Sequence, residues 1–289
     1  LSDLDHGDTG VYVWHRLGKA LTLLDIASEY NHRLRYDLNA LLHYAGFRPR
    51  MLAYPQIWLT TSTFYPDPGT GADTVDGYCT RSGVDETWAT IRAGAGTGHV
   101  DSAGGDEPYL RMRSDTSSTT DQWQQVMRAI MLFKTSAIPD TDTISAGTLR
   151  NYCTNKINET NQPPNPNWSL VGATPASDND LVNGDYSQLG STRLATDLAF
   201  ADVVLNDFNT WTLNAAGLAN ISKTGNSKFG SMMDLDLDGT QPYWIAGGYV
   251  HNFGCASADT AGTTNDPLLT VTHAGGSIRT PQMSLKGTD

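Results

Sequence analysis

Apolar residues change their rhythm along this chain of 289 residues. In the first fifty positions they recur at three- and four-residue spacing: Val11, Trp14, Leu17, Leu21 and Leu24, then Leu34, Leu38, Leu41, Leu42 and Ala45. That period gathers apolar side chains on one stripe of an α-helix. Thr9 is placed to cap the first stripe by accepting from an unpaired amide of the first turn. Gly46 and Pro49 close the second, because glycine tolerates a left-handed cap and proline cannot continue a helix. Asn31 lies between the stripes, so a hairpin and one long helix both fit.

Beyond residue 55 the pattern turns to β. The segments IWLTTSTFY (57–65), YLRMR (109–113), QVMRAIMLFK (125–134), FNTWTLN (208–214), KFGSMMDLDL (228–237) and PLLTVTH (267–273) read as strands. β-Branched and aromatic residues dominate them, with Gly, Pro, Asn or Asp at their ends. In 125–134 both alternating faces are apolar: Met127, Ala129, Met131 and Phe133 on one, Val126, Ile130 and Leu132 on the other. This predicts a central strand covered on both sides. In 228–237, Phe229, Met233, Leu235 and Leu237 alternate with Lys228, Asp234 and Asp236, which predicts a strand with one wet face. The stretch FKTSAIPDTDTISAGTLRNY (133–152) reads as the joint between two strands, with Pro139 fixing the backbone at the turn. Many short strands without long helices between them predict an antiparallel β-sandwich of the jelly-roll kind. The polar connections 66–87, 94–107 and 154–167 are expected to run over its surface. The expected organisation is a helical attachment segment (1–52), a jelly-roll domain (53–275) and a C-terminal tail (276–289).

Charge narrows the partners. Acidic residues number 31 against 19 basic ones, a formal net charge of -12. Nucleic acid is thereby excluded as a main partner, since its affinity comes from clustered Lys and Arg on phosphates. No apolar run approaches the roughly 20 residues that cross a bilayer, so no membrane partner is expected. Cys79, Cys153 and Cys255 stand far apart without a CxxC pair and read as small buried apolar residues; spacing alone identifies no disulfide.

The sharpest candidate chemistry is MDLDLDGT (233–240). Asp234, Asp236, Asp238 and Gly239 match the first half of a calcium loop, where alternate carboxylates converge on the ion. The second half departs from it: Ile245 stands where the bidentate Glu belongs, and Pro242 interrupts the loop. Carboxylates along a strand also lie roughly 6.6–6.8 Å apart at alternate positions. An acidic strand end is the competing reading. AGAGTG (93–98) lacks the Lys-Ser/Thr of a phosphate loop and reads as a flexible connection. The seven His residues show no metal-ligand spacing, and no G-x-S-x-G marks a nucleophile elbow. Asp85, Glu86, Asp101, Asp106 and Glu107 read as solvated loop acids rather than a glycosidase pair. Trp168, Tyr186 and Tyr243 suit either sugar stacking or a core.

The succession DTVDG (73–77), WATIRAGAGTG (88–98), MRAIMLFKTSAIP (127–139), TISAGTLRNY (143–152), NDLVNGDYSQLGSTRL (179–194), WTLNAAGLANISKTGNSKFG (211–230) and DTAGTTNDPLLTVTH (259–273) resembles the jelly-roll virion proteins of tailed bacteriophages. These are distantly similar to the DNRLRE domain of bacterial surface proteins. Arg128, Phe133, Thr135, Ser136, Ile138, Pro139, Thr143, Ile144 and Leu149 carry the most compact part of the likeness, which covers about residues 60 to 273. The resemblance implies a non-enzymatic virion component, such as an exposed decoration, fibre or appendage subunit, with no catalytic residues to carry over and no cofactor beyond the calcium considered above. Other virion proteins are its implied partners. Residues 1–50 carry two apolar stripes too large for so short a segment to cover, which predicts a homo-oligomer, a trimer foremost. The alternative expectation is a carbohydrate-binding module or adhesin domain for host-surface glycans.

Overall fold

The computed structural model describes residues 56–67, 73–101, 109–259 and 262–277. The helices predicted in 1–52, and the tail beyond residue 277, lie outside the described residues. The described chain is mainly β, in one large antiparallel sheet with few helices.

Its strands are β1 (Gln56–Phe64), β2 (Asp76–Glu86), β3 (Gly98–Val100), β4 (Tyr109–Thr116), β5 (Trp123–Lys134) and β6 (Thr143–Asn158). They continue as β7 (Trp168–Ala173), β8 (Leu189–Arg193), β9 (Asp207–Thr212), β10 (Asn226–Met233), β11 (Val250–Ala256) and β12 (Leu268–Ser277). Three short α-helices, α1 (Trp88–Ala93), α2 (Ala215–Ala219) and α3 (Asp234–Asp238), and one 3-10 helix (Asn183–Ser187) interrupt them. The strand order is β1-β12-β6-β11-β4-β5-β10-β7-β8, with β9 added on β6, β2 on β5 and β3 on β2.

Two long strands act as forks. Along one edge of β5, β4 pairs with residues 123–127 and β10 with residues 129–134, while β2 pairs with residues 123–131. On β6, β12 takes residues 143–150 and β11 takes 153–158, with β9 bonded to 148–153. A strand that changes neighbours midway must bend between them, and on β6 a register shift at Gly254/Cys255, opposite Asn155 and Cys153, lies beside the change; a second interrupts the β12 ladder at Thr272/His273.

β5 has an apolar core on each face, as its double pattern predicts. Ala129, Met131 and Phe133 join a cluster with Leu110, Met112, Leu149, Trp168, Trp211, Phe229, Phe253 and Val271. Trp168 organises it, meeting Trp211 edge-on at 4.5 Å and stacking on Phe253 at 5.5 Å, while its indole N–H donates to Ser231 Oγ at 2.6 Å. Val126, Ile130 and Leu132 face a second cluster with Trp88, Ile91, Trp123, Leu181, Tyr186 and Leu235. Trp88 and Ile91 reach it because α1 spaces them three apart on one side of the helix, capped by Thr87 Oγ1 accepting from the Thr90 amide.

The joint at 133–152 holds. Ile138 is buried, and the amides of Ile138 and Asp142 donate to the carbonyls of Thr135 and Pro139. Four expectations need correction. Segment 66–87 is no surface loop: it carries β2, whose first half is buried. Segment 94–107 contains β3, and β6 runs into 154–167 as far as Asn158. Finally, 228–237 is not strand throughout. β10 ends at Met233, its last pair with Trp168, and the DLDLD run coils into α3, which Gly239 ends in the left-handed conformation at φ 75°.

Candidate functional site

The three carboxylates of α3 go to different partners. Asp234 accepts from the Asn167 amide (2.8 Å) and Nδ2 (2.7 Å). Asp236, buried, is gripped by Arg128 through Nε (2.7 Å) and Nη2 (2.8 Å), with Arg92 Nε at 3.1 Å. Asp238, at the surface, takes a bidentate bond from Arg193 at 2.9 and 2.7 Å. A helix of five residues turns successive Asp side chains apart, and fixed guanidinium groups lie against Asp236 and Asp238. Arg128 also donates to the Tyr186 and Arg92 carbonyls and lies 4.1 Å over the Tyr186 ring. Burial pulls its pKa down, but Asp236 outweighs burial and the net shift is upward. An arginine inside the otherwise apolar run 126–133 was the available sequence signal for this junction.

Among the described residues, His99, Asp101 and Asp180 could hold a metal ion, their ligand atoms lying within 4.8 Å of one another. Asp101 Oδ2 accepts from the Leu181 amide at 2.7 Å, and Asn183 Oδ1 meets His99 Nδ1 at 2.7 Å. The neighbouring Asp101 raises the pKa of Asp180. AGAGTG adjoins this group. It closes α1 at Gly94 and leads into β3, with Thr97 Oγ1 accepting from the Ser82 amide at 2.8 Å.

A second constellation unites three distant segments. Ser62 of β1 places Oγ 2.9 Å from Nε2 of His273 on β12, and His273 Nδ1 lies 2.7 Å from Asp142 Oδ2. With Nδ1–H donating to the carboxylate, Nε2 carries the lone pair that accepts the serine proton. His273 and Asp142 are buried and Ser62 is half-buried. The turn 135–142 delivers Asp142, and Lys223 Nζ fastens that turn by donating to the Asp142 carbonyl at 2.8 Å. Gly275 admits the carboxylate: a Cβ there would stand 2.7 Å from Asp142 Oδ1. The joint read as pure architecture thus also supplies a buried acid. Sequence reasoning did not find the three residues together, because no elbow motif marks Ser62 and only the pairing of β1 with β12 sets it diagonally across from His273.

Other polar residues are buried without such partners. His251 meets Thr160 Oγ1 at 3.2 Å and Ser114 Oγ at 3.5 Å, and burial pushes its pKa down to about 4 against a small opposing effect of Glu159. Asp76 accepts from the Ala258 amide at 2.9 Å, yet burial, with Asp259 and Asp266 nearby, raises its pKa well above the usual carboxylate range. Asp266, pushed up to about 6 by burial and then by Asp259, belongs to the same group.

On β4, β6 and β11 an open cleft of about 220 Å³ is lined by Arg111, Arg113, Thr154, Asn155 and Asn252, among others. Arg113 is bidentate to Asp115 there, at 2.7 and 2.8 Å. Of the aromatics considered for sugar stacking, Trp168 and Tyr186 are core residues and Tyr243 is exposed. Of the loop acids, Glu86 pairs with Arg81, Asp85 is exposed, and Asp106 and Glu107 lie outside the described residues. No known protein-family profile matches the chain, and no curated protein matches it.

Proposed function

We propose that the chain is a structural subunit of a bacteriophage particle, an exposed decoration, fibre or appendage protein, with residues 56–277 as a solvent-facing jelly-roll sandwich. The reading rests first on the sequence likeness to virion jelly rolls. One structural observation carries it further: a single core collects side chains from β4, β5, β7 and β10 and equally from β6, β9, β11 and β12. The strands that share the cluster are, in this reading, packed as layers over it, and the forks at β5 and β6 are where strands pass between layers. In this reading residues 1–52 attach the domain to the particle or to sister subunits, a trimer foremost. Antibody labelling of intact virions tests the reading, and labelling of cell material but never of particles overturns it. Sedimentation of a chain lacking residues 1–52 tests the attachment: a folded, monomeric β domain supports it, and an unfolded product refutes it.

The cleft on β4, β6 and β11 favours a second reading, a glycan-binding domain. Its arginine, asparagine and threonine side chains are the planar and hydroxyl groups that bond sugar hydroxyls and acidic sugars. A glycan array decides: retention of a host polysaccharide that is lost in Asn252→Ala supports it, and an array without signal rejects it.

A further inference from the structure

We propose that Ser62 is a nucleophile for acyl transfer, with His273 as its general base and Asp142 as the residue that positions the imidazole. This goes beyond the particle reading and does not depend on it; it replaces the expectation that the chain carries no chemistry. A hydroxyl becomes a useful nucleophile when a base within about 2.6–3.2 Å can take its proton and a third group orients that base. Both contacts meet that condition, at 2.9 Å from Ser62 Oγ to His273 Nε2 and 2.7 Å from His273 Nδ1 to Asp142 Oδ2. The three groups come from β1, β12 and the turn before β6: His273 is the register partner of Thr60, which sets Ser62 diagonally across from it on the same face, and Asp142 directly precedes Thr143, the partner of Ala274. Burial is graded in the needed direction: the acid and the imidazole are buried, while Ser62 is half-buried.

Among the described residues, β1 pairs with β12 alone, so alternate amides of β1 point away from the sheet. His251 shows what is absent elsewhere: it also faces a serine, but at 3.5 Å and with no carboxylate bonded to its ring.

The chemistry closes on itself. Ser62 Oγ attacks the carbonyl carbon of an ester, and its proton passes to His273 Nε2 as the new C–O bond forms. The tetrahedral oxyanion collapses, the bond to the alcohol breaks, and the leaving oxygen takes the proton from Nε2. Water then attacks the acyl-serine by the same route, giving a carboxylic acid and restoring Ser62. The neighbours Thr61 and Thr63 are exposed and polar. Such a surface suits a short acyl group on a polar alcohol rather than a long lipid chain.

The test uses the full chain with a fluorophosphonate probe, followed by peptide mapping, and p-nitrophenyl acetate as substrate. Ser62 is expected to be the phosphonylated residue, and Ser62→Ala is expected to abolish both labelling and ester cleavage while keeping the wild-type circular dichroism and melting temperature. Asp142→Asn, which favours the wrong imidazole tautomer, is expected to slow labelling by about 10³–10⁴-fold, with partial rescue in Asp142→Glu. Rescue separates positioning from mere loss of fold. A folded wild-type chain whose Ser62 resists the probe, or ester cleavage unchanged in Ser62→Ala, overturns the proposal.

Discussion

Two histidines of this molecule occupy nearly the same situation and differ in one neighbour. His273 on β12 and His251 on β11 both lie on strands paired with β6, at 4% and 0% exposure. Each meets a serine, but His273 also meets Asp142, whereas His251 meets Thr160. The same contrast divides the buried carboxylates: Asp236 lies between Arg128 and Arg92, while Asp76 has the Ala258 amide and two further acids nearby. Burial opposes charge at His251 and Asp76, which lack an opposite charge of the kind the fold sets beside His273 and Asp236.

The largest expected effect breaks a compensated site. Asp236→Ala leaves the Arg128 guanidinium buried without its partner, and removing one member of a buried pair costs about 3–5 kcal/mol. Urea unfolding should show that loss, and an unchanged midpoint would refute the pairing as a structural element.

The next sharpens the uncompensated side through pH. The folded pKa of His251 lies below its unfolded value, about 4 against 6.5. Its contribution to stability is therefore complete above pH 6.5 and declines as the pH falls to 4, by up to about 3 kcal/mol. Glu159 is the charged group facing it, and it opposes the shift. His251→Gln should flatten the acid limb of a thermal-denaturation profile; an unaltered limb would mean the histidine is not the titrating group.

Asp266 acts in the opposite sense. Its folded pKa, about 6, is raised above the usual 3.8, so stability rises as the pH falls from 6 to 3.8. The half-exposed neighbour Asp259 and water at the loop reduce this to about 2 kcal/mol. Asp266→Asn should remove that rise and leave the His251 decline exposed, which melting curves between pH 4 and 7 would reveal.

The smallest effect is the least intuitive. Asp76→Asn keeps an oxygen for the Ala258 amide but removes a carboxyl whose ionisation burial opposes, so at pH 7 the variant should be more stable, by on the order of 1 kcal/mol. A destabilised variant would mean that the carboxyl makes interactions the amide cannot replace.

The contrast between supplied and missing charges was hardly legible in the sequence, although much of the sheet was. β5 announced itself because both of its faces are apolar, and the segments at 57–65 and 267–273 fall on β1 and β12. β2 did not, because Asp76, Gly77, Ser82 and Gly83 break the apolar alternation of a strand that its pairing with β5 holds in place. α3 was misread because Leu235 and Leu237 alternate with acids, a period-two signal that a five-residue helix can also carry. The Asp triplet was visible, but its arginines sit at positions 92, 128 and 193, and only the fold chooses among such distant partners. For the same reason Ser62, Asp142 and His273 carried no mark of belonging together.

Gln56 and Ser277 are the first register pair of β1 and β12, and Phe64 and Leu269 the last. The chain therefore enters and leaves this unit side by side. Tension between the two exits would unzip the pair one rung at a time, whereas tension on residue 56 against a load held elsewhere on the sheet must slide β1 along β12 and break all its rungs together. The unit is soft to one pull and stiff to the other. Ser62 and His273 lie on opposite sides of this zipper, so a pull that opens it parts the hydroxyl from its base while both apolar cores are still closed.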